Sequence, residues 1–309
     1  MRICLMIEGQ EDVSWEEWRA LAEACEGSGI EAMFRSDHYL SVMGQEGRGS
    51  LDAWTTIAAL AAVTSTLRLG TLVSPVTFRH PSVLAKSVVT ADHVAGGGRI
   101  ELGLGAGWLE AEHAAYGFPF PPTAERFEML EEQIEIVRRE WTEDELDFAG
   151  RHYELRGLNA LPKPKAPINL LVGGQAKPRS LALAARWADE YNLVMMSAED
   201  ARDRVPRIRA AWEEAGREDP VISLMTASIV GADEDDLAGR AAEVARVRGD
   251  GVDGREFLAG LDENWLTGTV EQLRDRLGEL EQAGVERVML QYLPHRDLDG
   301  VAVISELAG

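Results

Sequence analysis

Apolar residues recur along this chain in two alternating rhythms. Short runs rich in leucine, isoleucine and valine at 2–7, 30–35, 67–73, 99–104, 168–172, 191–195, 221–230 and 285–290 are bounded by glycine, serine, aspartate or proline, as buried strands are. Between these runs the apolar positions fall three and four apart, which is helical spacing. Trp15, Trp18, Ala22 and Cys25 share one face behind the capping box Ser14-Trp15-Glu16-Glu17. Val83, Leu84, Val88 and Ala91 follow His80-Pro81, a proline suited to a first helical turn. Phe127, Leu130, Ile134, Val137 and Trp141 make a narrow seam, and Leu181, Ala184, Ala185 and Ala188 another. Val205, Ile208 and Trp212 mark one later helix, and Val270, Leu273, Leu277 and Leu280, capped by Thr269, mark the next. Further helices are expected over 52–63, 233–247 and near 301–307, with a short amphipathic piece over 257–261. Residues 147–155 read as a small hairpin turning near Gly150, and the segment after Gly107 as a long loop through Phe118-Pro119-Phe120-Pro121-Pro122.

The stretch 67–112 organises the rest. Its first strand is expected to stop at Ser74-Pro75, because proline has no N–H to continue a ladder. A helix follows and ends at Gly96-Gly97-Gly98, and a second strand runs into Gly103, Gly105 and Gly107. Strand, helix and strand in this order form a βαβ unit with parallel strands and both strand-to-helix loops on one edge. Eight strands alternating with helices predict an α/β fold, a closed (β/α)8 TIM barrel with loop insertions, as a single domain over 1–309. An open doubly wound sheet would leave two apolar edge strands exposed. In the barrel, the loops after the second to fifth strands converge on one mouth.

Composition narrows the partners. The 309 residues are 45% hydrophobic and 27% charged, and no segment approaches the roughly 20 apolar residues of a membrane span. The opening MRICLMIEG meets Glu8 too soon for a leader and reads as the first strand, so a cytoplasmic location is expected. Cys4 and Cys25 form no CxxC and suggest neither a disulfide framework nor a zinc site. A net charge of -22 argues against nucleic acid, whose phosphates need a basic surface; a small-molecule substrate fits better.

Asp37-His38, just past the second strand, supplies an imidazole able to relay a proton near neutral pH and a carboxylate able to orient a ring or a ligand. Equally, Asp37 can cap a turn beside a partly buried His38. Gly103-Leu104-Gly105-Ala106-Gly107 lies after the wrong strand for a dinucleotide fingerprint; its glycines let the backbone approach a flat ring, or simply turn the chain. Gly173-Gly174-Gln175 before a helix offers backbone N–H groups to a phosphate. Lys163, Lys165, Lys177 and Arg179 form a local basic exception suited to an anionic tail, or serve solubility. His38, His80, His93, Glu112 and His113 lack any HxH or HExxH spacing, so no metal is expected. A serine hydrolase would need a GxSxG elbow that is absent.

At SDHYL, at 69–113, at FPFPPTAERFEMLEEQIEIV and at LLVGGQAKPRSLALAARWADEYN, the chain resembles the bacterial luciferase-like flavin and deazaflavin oxidoreductases over residues 1–230. It is most similar to the actinobacterial branch that uses the deazaflavin coenzyme F420. The resemblance implies that His38 sits near the reactive carbon of the ring and that Asp37 contacts the cofactor. Leu72, Val73 and Ser74 would pack behind the ring, with a cis peptide at Leu72-Val73. Gly105, Gly107 and Trp108 would lie alongside it, and Gly173, Gly174, Gln175, Ala176 and Lys177 would hold its phosphate. Sugar-phosphate dehydrogenases of the family carry a glutamate proton donor where this chain has Trp108, which disfavours that substrate. The implied activity is hydride exchange between F420 and a small organic substrate, by a homodimer. An FMN-dependent monooxygenase on the same barrel is the alternative, and a barrel that binds flavin without turnover is a third.

Overall fold

The computed structural model describes residues 1–308. In chain order its strands are β1 (Arg2–Ile7), β2 (Ala32–Arg35), β3 (Arg68–Pro75), β4 (Ile100–Gly105), β5 (Leu146–Ala149), β6 (Glu154–Leu158), β7 (Asn169–Gly174), β8 (Glu190–Val194), β9 (Val221–Gly231), β10 (Leu266–Thr269) and β11 (Arg287–Gln291). β1, β2, β3, β4, β7, β8, β9 and β11 pair in parallel in that order, and β11 pairs back onto β1. The sheet therefore closes as an eight-stranded α/β barrel, and the open-sheet alternative is excluded. β5 and β6 form the expected antiparallel ribbon.

The outer ring is built from α1 (Trp15–Cys25), α2 (Ala53–Val63), α3 (Pro81–Val94), α4 (Glu110–Tyr116), α5 (Thr123–Thr142), α6 (Pro178–Trp187), α7 (Ala198–Glu214), α8 (Glu234–Arg248), α9 (Gly254–Ala259), α10 (Val270–Gln282) and α11 (Leu298–Ser305). Local chemistry explains their ends. Ser14 and Glu17 form a reciprocal capping box at α1, Thr269 and Gln272 another at α10, and His80 caps α3 by accepting from the Ser82 N–H. Gly96, Gly97 and Gly98 all take positive φ after α3, where a Cβ would be strained. Trp18, Ile57, Leu84, Ile134, Ile208 and Leu277 are buried from the helix side against the outer face of the barrel.

Three expectations need correction. β3 runs through Pro75, which pairs with Gly105; proline withdraws only a donor, and at the last rung none is needed from it. The segment after Gly107 contains α4, closed by Gly117 at φ 72°. β10 was missed: four residues with two threonines and a glycine resemble a helix cap more than a strand, yet they pair with the outer half of β9.

The lumen is filled in layers. Phe34, Leu171 and Met289 occupy its middle with Cys4. Below them, at the N-terminal ends of the strands, lies a buried charge cluster. Arg287 donates to Glu101 at 2.9 and 3.0 Å and to Glu190 at 2.8 Å, and its Nε lies 3.0 Å from Glu31. Arg68 donates to Glu101 at 2.6 Å, and Asn169 bridges both glutamates at 2.8 Å. Arg287 is 1% exposed and both glutamates 0%. Burial alone would raise both carboxyls; Arg287 and Arg68 outweigh it at Glu101 and hold it down to about 2. At Glu190 burial wins, the neighbouring Glu101 charge adds to it, and the pKa is raised. One Glu190 oxygen has no hydrogen-bond partner.

The two glutamates therefore respond differently to neutralisation. Glu101→Gln strands part of the Arg287 and Arg68 charge and is expected to cost about 3 kcal/mol. Glu190→Gln mimics the protonated acid and is expected to stay within about 1 kcal/mol of the parent. Because the raised pKa lets the folded state bind more protons than the unfolded one, parent stability falls as pH rises through that range. The Glu190→Gln protein should therefore gain on the parent as pH increases; urea midpoints at several pH values read both effects.

Candidate active site at the barrel mouth

At the C-terminal ends of the strands the lumen opens into a cavity of about 490 Å³. His38, Leu72, Val73, Gly105, Gly107, Trp108, Gly173 and Gly174 all line it, so the loops after β2, β3, β4 and β7 do meet at one mouth. Met6, Glu8, Ser36, Val42, Asn192, Val194, Met225 and Gln291 complete much of the wall.

His38 and Asp37, neighbours in sequence, part company here. His38 faces the cavity, and its Nδ1–H donates to Glu112 Oε2 at 2.9 Å. Glu112, fully buried on α4, also accepts the backbone N–H groups of Leu40, at 3.1 Å, and Tyr39. One carboxylate thus fixes both the imidazole and the turn that carries it. Burial disfavours the imidazolium, but the Glu112 carboxylate, with Glu8 and Asp37 behind it, outweighs this and raises the His38 pKa. In return the Glu112 carboxyl, which burial would raise, is lowered by His38 and the two backbone N–H groups. Trp108 stands edge-on to His38 with centroids 5.6 Å apart.

Asp37 is not on the cavity wall, which corrects its expected contact with a cofactor. It is 1% exposed and is held by Arg79 at 2.5 and 3.2 Å and by the Ser74 hydroxyl at 2.7 Å. Ser74 in turn accepts from Trp54 Nε1 at 3.0 Å, so Ser74 too is tied into the wall. The peptide Leu72-Val73 is cis, at the expected place. A Cβ on Gly105 would fall 2.7 Å from Val73 Cγ2, and Gly107 has φ 78°; these two glycines serve close approach and turning together.

At the other end of the cavity, Gly174 takes φ 150° and leads to α6, whose N-terminus has no capping side chain. Gln175 is pinned by its amide to Val194 O at 3.0 Å, and the Ala176 N–H donates to Tyr191 Oη at 3.0 Å. The expected basic group does not assemble. Lys163 donates to Glu140 O at 2.8 Å and to Glu143 O, and Lys165 to His93 O at 3.1 Å. Both precede β7, so they lie at the opposite end of that strand from Gly173 and Gly174. Lys177 and Arg179 remain at the mouth side, Arg179 donating to Glu131 at 2.9 Å.

Four contributors escaped sequence reasoning: Glu8, Glu112, Arg79 and Gln291. Each acts through a partner remote in sequence, so no local pattern marks its role; Glu112 drew notice only among the residues lacking metal-ligand spacing. Other histidines are dispersed. His113 is bonded to Leu109 O and Thr77, His93 to Lys163 O. Among the described residues no group of three or more His, Cys, Asp or Glu could hold a metal ion, and no helix is long and apolar enough to cross a membrane.

Comparison with known proteins adds three findings. The family model described as luciferase-like monooxygenase matches residues 2–287. The chain is 30% identical over 217 residues to an F420-dependent glucose-6-phosphate dehydrogenase of Kineococcus radiotolerans, covering 69% of this chain and 63% of that one. It is 29% identical over 176 residues to pyrimidine monooxygenase RutA of Allorhizobium ampelinum, covering 55% and 47%. The chain thus spans less than two thirds of the length of these curated relatives. In fold it is similar to monooxygenase RslO1 from Streptomyces bottropensis, with a TM-score of 0.80, 23% identity, and coverage of 99% and 97%.

The His38–Glu112 pair has a direct readout. By NMR titration the His38 ring is expected to stay protonated above the ordinary pH of about 6.5, and Glu112→Gln to lower its pKa. An unchanged midpoint would show that the 2.9 Å bond does not govern this ring.

Proposed function

This chain belongs to the luciferase-like monooxygenase family, and we propose that within it the protein is an F420-dependent oxidoreductase. It exchanges hydride between the deazaflavin and a small organic substrate. The observation that carries this reading is His38, held on the cavity wall by Glu112 with its pKa raised.

The residues present fit such a cofactor. Leu72 and Val73 form an apolar wall for a flat ring, with Gly105, Gly107 and Trp108 beside it. Gly173, Gly174 and the uncapped first turn of α6, with Lys177, suit a phosphate. When bound, a deazaflavin supplies a ring carbon that takes or gives a hydride. Because Glu112 occupies Nδ1, the proton that His38 holds toward the cavity is on Nε2. Charged, that group stabilises negative charge developing on a neighbouring ring; as pH rises through its pKa, the contribution is lost. Asp37 acts at one remove, through Arg79 and Ser74, by holding the β2 and β3 ends together.

The 30% identity to an F420-dependent relative supports F420. The RutA likeness favours the second reading, an FMN-dependent monooxygenase using reduced flavin and oxygen. Trp108 speaks against a sugar phosphate in either case. A homodimer, by family resemblance, acting in the cytoplasm, by the composition of the chain, is part of the proposal.

Titration of the purified protein with F420 and with FMN, followed by absorbance and fluorescence, decides between the two. Saturable binding of F420 is expected; tight FMN binding with no F420 binding would reverse the assignment. With Lys163 and Lys165 at the far end, Lys177→Glu with Arg179→Glu is expected to weaken F420 binding about tenfold at low salt and less at high salt. Unchanged affinity would remove any role for these side chains.

A further inference from the structure

The wall of the mouth cavity also carries information about what it takes besides a cofactor; this step rests on the reading of that cavity as an active site. Among the described residues lining it, only Glu8 and His38 ionise, and no lysine or arginine contributes. The charge of His38 is already matched by Glu112 at 2.9 Å. Away from the Gly173–Gly174 end, a phosphate or carboxylate entering beside His38 would meet no free cation and would face Glu8.

Glu8 itself is unusual. It is 7% exposed, directly after β1, and aimed into the cavity. Gln10 Nε2 donates to its Oε2 at 2.7 Å, and Gln291 Nε2 donates to its Oε1. Neutral amides orient the carboxylate without neutralising it. Each oxygen keeps acceptor capacity, and a buried carboxylate is stabilised most by a further donor or a cation. On the same wall Met6, Val42, Val194 and Met225 are apolar, and Trp108, 61% exposed, stands at the rim.

We propose that Glu8 anchors the substrate, and that the substrate has an apolar, planar body bearing a hydroxyl or a protonated amine, with no phosphate or carboxylate. Gln10 and Gln291 act as positioning residues that aim the carboxylate, and Trp108 covers the planar body.

The test uses three isosteric probes, benzylamine, benzyl alcohol and benzoate, with binding measured by calorimetry on the protein alone and on the cofactor-loaded protein. Benzylamine and benzyl alcohol are expected to bind at least about tenfold tighter than benzoate. Glu8→Gln should abolish the advantage of the amine and the alcohol over benzoate, and the exchange Glu8→Gln with Gln291→Glu, which returns a carboxylate to the same pair, should restore it. Trp108→Ala should weaken all three alike. Benzoate binding as well as the amine, no binding of any probe to the parent protein, or a ranking that survives Glu8→Gln overturns the proposal. A protein that binds neither F420 nor FMN but keeps the probe ranking supports the Glu8 assignment while ending the cofactor reading. Tight F420 binding with benzoate preferred does the reverse.

Discussion

Arg287 sits where the barrel must be filled from below, and its guanidinium gathers Glu101 from β4, Glu190 from β8 and Glu31 from the approach to β2. A parallel barrel is a packed core rather than a pore, and something must occupy each layer of its lumen. Here the lowest layer is ionic. Burying charge is costly unless it is paired and hydrogen-bonded, so the cluster tolerates only the strand register that brings these side chains to one level. The apolar middle layer of Phe34, Leu171 and Met289 then separates it from the mouth. What remains open is the upper end alone, and its cavity inherits a fixed floor.

The mouth solves a related problem with adjacent residues. Leaving β2, the chain sends Asp37 into the wall and His38 into the cavity, as alternation along an extended segment dictates. Two separate carboxylate partnerships follow. Arg79 and Ser74 neutralise and bind Asp37, while Glu112 charges His38 and fixes the turn through Tyr39 and Leu40. The wall is thus cross-linked by polar bonds wherever the cavity is not, and the imidazole is held without its Nε2 being consumed.

Much of this was legible in the residues. Alternating apolar runs and helical seams revealed the barrel, because each strand is buried on both faces and each helix on one, and the glycines and His38 lay at strand ends where the mouth had to form. The errors have physical causes. Lys163 and Lys165 stand near Gly173 in sequence, but β7 lies between them, and at about 3.3 Å per residue a strand carries its two ends to opposite poles. α4 was hidden by flanking glycines and prolines that read as loop, and with it Glu112. Glu101, Glu190 and Arg287 interrupt otherwise apolar strands, and a single sequence does not say which distant charges will meet. Asp37 was placed toward the cofactor by the family resemblance; its pairing with Arg79 and Ser74 holds it in the wall instead.

Trp108 ties these strands of argument together. On the cavity wall it presents an indole, which does not ionise near neutral pH. The titratable groups left on the cavity wall are His38 and Glu8. A proton that enters or leaves chemistry in this cavity must therefore pass through one of these two, through the substrate, or through water. Their environments differ in kind: Glu112 stabilises the protonated ring, whereas the amides of Gln10 and Gln291 stabilise the carboxylate. One can donate a hydrogen bond and the other can accept one, on the wall of the same cavity. That opposition, set by second partners rather than by the two side chains themselves, is what gives an otherwise apolar cavity a direction.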